Sequence, residues 1–593
     1  MPKSPLASGN VVTYIINSDG SEIPDYFGVI SIEIIKEINK INYAKIIFSD
    51  GDVTDGFFKL SNSSEMEPGK VIEIQLGYDN SNKSVFKGII INQSIKVVNG
   101  VSFLEVECYD KAIQLTVIRN NDFFEKKKDS DIIKQVIGNH PGVTSTVAAT
   151  VTKHEQLYQY QATDWDFILA RAEANGLIIL NDENKITVAK PKPVGSSALE
   201  VIYGTSLYDF DLKVSSYNQL KDVESSSWDI SKQKVEKVKS KKAAEAKHGD
   251  LDAKKLSKVM GTKTYNLSSS VPLIKSELSS WADGFATRSA LCKLSGSVSF
   301  TGNAAPNLNS VLKLSGLGKH FDGDGYISGV HHHIGEGNWK TTCILGLNSK
   351  YATQAYPDLN GLPTGGLLPA VSGLQIGIVT KVDADPEGQM RIKVKLPTWD
   401  NTKEIWARLS SFYASKQFGI FFLPEIEDEV IIGFFNDDPR FPVILGSMYN
   451  GKNKSPYTPE AGNNIKAIVT REKMKIEFDE EKKIITIETP AKNTIIIDDD
   501  AKSITLKDQN KNIVKMSADG ISLDSAKDIK ITAKGNINIE AKQKIVLKAT
   551  ADLVAEGMNI KQKAKTALTL EGLTAELKAS TQATIKGAMV MIN

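Results

Sequence analysis

The chain has 593 residues, of which 41% are hydrophobic and 24% charged, with a formal net charge of +1. That length calls for several domains rather than one core. The near-zero balance excludes a bulk electrostatic draw towards nucleic acid or an anionic membrane, so no nucleic-acid partner is expected and partners must be recognised by shape. Cys108, Cys292 and Cys343 lie outside any CxxC spacing and signal neither a disulfide framework nor a zinc module; they read as small buried apolar residues. The stretch MPKSPLASGNVVTYII lacks the apolar run of a signal peptide, and no stretch approaches the apolar length of a membrane helix.

From Val11 to about Thr116 short β-rich runs (VVTYII, GVISIEII, AKIIFSD, KVIEIQLGYD, VFKGIII, FLEVECYD) alternate with turn residues, a spacing that suggests a barrel or sandwich. The segment DSDIIKQVIGNH near Asp129 reads as a helix. A second helix starts at Thr163, with Asp166 three residues on in a variant of the capping box, and stops at Asn175-Gly176; Trp165, Ile168, Leu169 and Ala172 fall on its buried face. Ser231 to Lys258 is rich in Lys, Ala, Glu and Ser and reads as a solvated helix or mobile insertion, its acidic residues diluting any nucleic-acid field. Strand-like sequence resumes from Ser295 to Leu347, and the Pro/Gly-rich Pro357–Gly373 marks a boundary. Leu374 to about Asn450 packs some five strands into a short span, as a small closed barrel such as an OB-fold does.

Beyond a short link the chain is nearly all repeat. Aliphatic pairs fall at Ile476/Phe478, Ile485/Ile487, Ile495/Ile497 and Ile504/Leu506, then at Ile513, and settle on an eight-residue beat at Ile521/Leu523, Ile529/Ile531, Ile537/Ile539, Ile545/Leu547 and Leu553/Ala555. Gly, Asn or Asp between pairs is expected to supply the left-handed conformations of tight corners. One short strand per repeat buries two or three side chains, too few to offset about 1–2 kcal/mol of backbone entropy per residue in a lone chain. A calcium-binding solenoid needs a GGxGxD pattern, which is absent. Three chains winding into a triangular prism would meet the requirement, with the inward pairs on the axis. The predicted needle core is Ile521, Leu523, Ile529, Ile531, Ile537, Ile539, Ile545, Leu547, Leu553, Leu577 and Ile585, the frame slipping by one residue at Ile560 and Leu568/Leu570 before it returns.

Several segments together resemble the VgrG-type spike proteins of contractile injection systems, fusions of a phage baseplate hub with a tail spike. In the hub these are PGKVIEIQLGYDNSNKSVFKGIII, YDKAIQLT and TDWDFILARAEANGLIIL. In the barrel they are IGIVTKVDADPEGQMRIKVKLP and FGIFFLPEIEDEVIIGFFNDDPRFPVILGSMYNGKNKSP, and at the end GAMVMIN. Val12 to Asp52 departs from the usual type VI secretion form and is similar to spikes of extracellular phage-tail-like particles or divergent type VI systems. The resemblance implies a mainly β homotrimer without enzymatic activity or cofactor. Its parts are a hub of two barrel-like units with helical insertions over residues 1–370, an OB-fold barrel over 371–450, a linker over 451–473, and an intertwined β-helix needle over 474–593. It further implies inner-tube and baseplate partners, effector cargo, mechanical contact with a target envelope, and a PAAR-type tip protein docked on Met589, Val590, Met591, Ile592 and Asn593. Assembly is expected in the bacterial cytoplasm, followed by ejection. The alternative is a trimeric receptor-binding fibre or adhesin, which would need a distal binding head.

Other constellations are weaker. In His331-His332-His333 neighbours point to opposite faces of a strand, so no metal site is expected. Phe321-Asp322-Gly323-Asp324-Gly325-Tyr326 lacks an EF-hand frame and reads as a turn. Glu425, Glu427, Asp428 and Glu429 read as a polar barrel loop rather than a glycosidase pair. No P-loop, HExxH or GxSxG is present.

Overall fold

In the computed structural model, which describes every residue except 1–9, 25, 53, 55, 262, 401 and 593, two compact units divide the chain, residues 1–448 and 449–593. The β-rich alternation near the start becomes strands with every second side chain sealed, as Ala44, Ile46 and Phe48 are in Tyr43–Ser49. These strands enter a thirteen-stranded sheet whose middle strand, Gly28–Glu37, pairs with Tyr43–Ser49 on one side and Gly323–Gly335 on the other. The two β-rich halves of the hub are thus joined by main-chain hydrogen bonds. Each half keeps its own apolar core, one around Ile32, Phe48, Ile74 and Val106, the other around Val298, Phe300, Leu312 and Cys343. The molecule is mostly β, and no helix among the described residues is long and apolar enough to cross a membrane.

Between the halves, helices Asp129–Gly138 and Asp164–Ala174 close a third core over Ile132, Ile133, Ile168 and Leu169. The second helix starts and stops as its sequence dictates. Thr163 Oγ1 accepts from the Asp166 amide at 3.1 Å and donates to Asp166 Oδ2 at 2.6 Å, and Gly176 leaves the helix at φ +66°. Trp165, Ile168, Leu169 and Ala172 are buried. Gly176 does a second job: a Cβ there would lie 2.8 Å from Gly284 Cα, on helix Lys275–Leu291. Contact between these two glycines lets the helices meet, and beside it Glu173 pairs with Arg288 out of solvent.

The lysine-rich segment is not a solvated helix. Lys234–Lys239 is a strand paired with Asp222–Asp229, the run after it buries Ala246 and His248, and only Ala253–Val259 is helical. Main-chain bonds hold it to the hub: Gly249 N donates to Asp322 O at 2.7 Å and Asp324 N to Lys247 O at 2.8 Å. Composition hides such a ladder, since backbone pairing places no demand on exposed side chains.

Residues Gln375–Lys381, Arg391–Lys395, Ile405–Leu409, Glu429–Phe434 and Pro442–Ser447 close the barrel expected of an OB-fold, around Val379, Ile392, Val394, Val430 and Ile444. The acidic run lies in the turn before its fourth strand, where Asp428 Oδ2 accepts from the Glu425 amide at 2.9 Å. The histidine triplet alternates across its strand. His331 Nε2 lies 3.0 Å from Glu37 Oε1, whereas His332 is buried with Nδ1 3.0 Å from Thr341 Oγ1. All three cysteines are free and buried, and burial pushes their thiols up.

Two buried histidines give the hub an acid response. Burial, then Lys293, lowers His248 to about 4; burial, then Lys36 and His331, lowers His332 to about 3. Both are neutral in the fold, while in the unfolded chain they take protons near pH 6.5. Their contribution to stability is therefore complete above pH 6.5 and is lost as pH falls towards the folded values, each group adding up to about 1.4 kcal/mol per pH unit. Urea midpoints measured from pH 7 to 5 should fall in the native protein and fall less in His332→Phe, where His248 alone remains to respond.

Candidate functional site

The chain's second unit opens with a seven-stranded antiparallel meander from Ile465 to Asp524, so its first strand, Ile465–Val469, lies in the segment read from sequence as linker. Each strand is five residues long, and in the six from Lys475 onwards the second and fourth side chains are apolar. Cross-strand partners continue one face: Phe478 opposes Ile485, Ile485 opposes Ile497, Ile497 opposes Ile504, and Ile504 opposes Met516, which opposes Ile521. The neighbouring row runs Ile476, Ile487, Ile495, Leu506, Val514, Leu523. Val514 and Met516 therefore carry the apolar face where the sequence reading placed Ile513. The turn Asp508–Asn512 sets that register, and one residue's shift moves a strand's whole side-chain set to the other face.

This face is bare in the single chain. Ile485, Ile487, Ile495, Ile497, Ile504 and Leu506 are each exposed by roughly 40%, and with Leu523 and Ile529 part of the face forms a groove of about 500 Å³. Residues of opposite faces in an isolated sheet have no means of covering it. At the hairpin turns the left-handed residues are Lys473, Lys483, Lys492, Lys502 and Lys511 rather than the expected Gly, Asn or Asp; Gly520 alone follows expectation.

Among the described residues no strand forms beyond Asp524, yet the chain stays regular. Bends fall at 526–527, 534–535, 542–543 and 550–551, then at 558, 565–566, 573, 580–581 and 588. Ile529/Ile531, Ile537/Ile539 and Ile545/Leu547 each occupy the same place after a bend, as does Leu553. The shorter later spacing removes the slip and return read from sequence. Ile560, Leu568/Leu570, Leu577 and Ile585 share one frame, a double repeat of fifteen residues marked by Gly557, Gly572 and Gly587. Val590 and Ile592 continue that frame, with Met589 and Met591 between them. All these side chains are exposed in the single chain and do not meet; Asn593 lies outside the described residues.

Elsewhere the densest polar cluster is in the hub. Asp129, which is buried, accepts from Arg171 Nε at 2.6 Å and Asn175 Nδ2 at 2.9 Å, with His154 Nε2 at 2.9 Å. Burial pushes the carboxyl up, but the charge and hydrogen bonds of Arg171 with those of His154 and Asn175 together hold it below its usual range. These bonds tie two helices to a strand. Among the described residues no group of three or more His, Cys, Asp or Glu could hold a metal ion.

Residues 8–336 match the Alg8 N-terminal domain, residues 375–449 the type VI secretion system/phage-baseplate injector OB domain, and residues 484–543 the phage baseplate V C-terminal trimerisation domain. Among curated relatives, the chain is 34% identical over 98 residues to the actin cross-linking toxin VgrG1 of Vibrio cholerae, covering 15% of this chain and 9% of that protein. It is 32% identical over 114 residues to the type VI secretion system spike protein VgrG1b of Pseudomonas aeruginosa, covering 18% and 15%. The chain therefore spans a small part of the length of these relatives. A structure of a Francisella PdpA–VgrG complex aligns with 87% of this chain and 80% of that one, at 12% identity and a TM-score of 0.40. With the first match covering more than half of its residues, the chain belongs to the Alg8 N-terminal domain family, and the injector OB and trimerisation domains that follow make it a spike protein of the VgrG type.

Proposed function

We propose that three copies of this chain form the hub and needle of a contractile injection machine. The assembly couples the inner tube and baseplate to a shaft that carries cargo and punctures a target envelope. The observation that carries this reading is the stretch 525–592. It keeps a bend every seven or eight residues and an aliphatic pair after most of them, with no partner strand of its own. Extended backbone of this kind needs edges to pair with, and an intertwined triangular β-prism supplies them from two other chains. The match of residues 484–543 to a trimerisation domain supports the same stoichiometry, and the injector OB match favours a spike over a receptor-binding fibre or adhesin.

The chain acts mechanically rather than as an enzyme, is assembled in the cytoplasm of the producing bacterium and leaves it with the machine. A PAAR-type tip protein seated on Met589–Ile592 belongs to the proposal, with any effector carried by that protein or by the hub. Light scattering of the full chain should give the mass of three copies, and deleting the gene should abolish injection while leaving the contractile sheath protein expressed. A folded monomer at micromolar concentration would overturn the reading.

A further inference from the structure

Residues 240–252 join strand Lys234–Lys239 to helix Ala253–Val259 without regular structure of their own, and they lie across the hub as a strap. Main-chain groups hold it down. Ser240 N donates to Val223 O at 2.8 Å, Lys241 N to Asp283 Oδ1 at 2.7 Å and Asp250 N to Lys319 O at 3.0 Å, beside the bonds of Lys247 and Gly249 to the chain at 322–324. Ala246 and His248 are buried while Lys247 between them is exposed. Ala246 packs into a small core with Ile38, Ile178, Leu291 and Tyr326, and Ala244 forms part of the wall of a cavity of about 260 Å³ that also takes in Lys190 and Asp283. The fit is close: a Cβ at Gly249 would lie 2.2 Å from His320 O, and one at Gly323 would lie 2.8 Å from His248 Cα.

Within this fit His248 is 6% exposed, and neither of its ring nitrogens makes a hydrogen bond. A buried imidazole left in that state costs stability even when neutral. A proton would add a charge with nothing to pair it. Lys293, buried and 3.2 Å from Glu245, repels it, and Glu245 is thereby already engaged. On the neighbouring segments Asp250 is held by the His320 ring, Asp322 accepts from the Leu317 amide at 2.7 Å, burial pushes the Asp324 carboxyl up, and Lys247 and Lys319 are exposed. The one group near the ring that favours a charge is the Ala246 carbonyl, which already accepts from the His248 amide at 3.1 Å.

We propose that protonation of His248 releases the strap 240–252 while the rest of the hub stays folded, an acid-operated latch that uncovers Leu291 and Tyr326. Every group in it belongs to one chain, so the inference stands apart from the trimer reading. Release is local because the strap gives the interior little beyond Ala246, and the three large cores of the hub contain none of its residues. A segment kept closed by a few main-chain bonds and one alanine opens well before the whole domain does. In water the imidazole takes its proton near pH 6.5, so each pH unit below that favours the open strap about tenfold until the closed form itself is protonated. Between pH 6.5 and 4.5 the shift is about 100-fold.

Hydrogen exchange of the full chain, read by mass spectrometry at pH 7 and pH 4.5 and corrected for the intrinsic rate at each, tests the latch. In the native protein, peptides covering 240–252 are expected to lose protection about 100-fold at pH 4.5, with those covering Tyr43–Ser49 unchanged. His248→Leu, of similar volume and unable to take a proton, is expected to keep the strap protected at both pH values. Lys293→Met removes the repelling charge and frees Glu245 to pair with the imidazolium, so the loss should shrink. Undiminished protection of the native strap at pH 4.5 overturns the latch, as does an equal loss in His248→Leu. A loss that spreads through the whole hub at once would be unfolding rather than release and overturns it too. Should His248→Leu fail to fold, Lys293→Met decides: an unchanged loss there would assign the acid response to other groups.

Discussion

Replacing Ile537 with Asp is expected to abolish assembly of the full chain, with light scattering falling from the mass of three copies to that of one. Ile537 stands at the same place after its bend as Ile529 and Ile545, and in one chain it is about half exposed with nothing to cover it. If three copies bring it to a common axis, the variant sets three carboxylates together away from water. Removing each charge from water costs several kcal/mol with no partner to offset it, and like charges at close range add to the cost. In the strand that pairing within such a prism would make of this stretch, Asn538→Asp puts the same charge on the opposite, outward face and is expected to leave the trimer intact. Equal effects of the two variants would mean that residue 537 does not face an axis. Because the hub's cores close within each chain, the Ile537→Asp protein should still unfold cooperatively as a monomer.

The contrast between these neighbours shows which features were legible in the sequence. A beat of eight residues repeats a local instruction, so the rows from Ile521 to Leu547 could be read directly, and so could the cap at Thr163 and the stop at Gly176, whose chemistry spans three or four residues. Register in the meander was less accessible. The turn Asp508–Asn512 decides whether Ile513 or Val514 joins the apolar face, and turn length is a property of the backbone path rather than of hydrophobic pattern. The five left-handed lysines were hidden for the same reason, since a hairpin imposes that conformation on whatever residue occupies the corner. The change to a fifteen-residue double repeat looked like a slip until the bends located the corners. The strand inside the lysine-rich segment gave only a weak apolar signal, Val235 and Val238 among charged residues, and is held to Asp222–Asp229 by main-chain bonds. Long-range polar pairs were invisible for a further reason: Glu173 and Arg288 lie far apart in sequence, and only the packing of Gly176 on Gly284 brings their helices together.

That pair carries the second large expected effect, a loss of hub stability on truncating either partner. Glu173 Oε1 accepts from Arg288 Nη2 at 2.5 Å and from Asn39 Nδ2 at 3.1 Å, and its Oε2 accepts from the Ala352 amide at 2.6 Å. Arg288 Nη1 in turn donates to the carbonyls of Lys350 at 2.5 Å and Asn348 at 3.2 Å, while its guanidinium lies over the Tyr351 ring. Both side chains are nearly excluded from water, at 4% and 7% exposure, so screening is slight and the loss of one partner strands the other's charge. Breaking a buried pair in this way costs about 3–5 kcal/mol, whereas replacing both members by apolar groups of similar volume is often close to neutral. Glu173→Leu and Arg288→Met should each lower the urea midpoint of the hub steeply. The double variant should recover a part and not the whole, because in it the Ala352 amide has lost Glu173 and the carbonyls of Asn348 and Lys350 have lost Arg288. Additive single effects in this cycle would show that the two charges do not stabilise each other. Recovery to the native midpoint would show instead that the main-chain bonds to residues 348–352 contribute nothing, leaving charge pairing as the whole of the link between the helices and that segment.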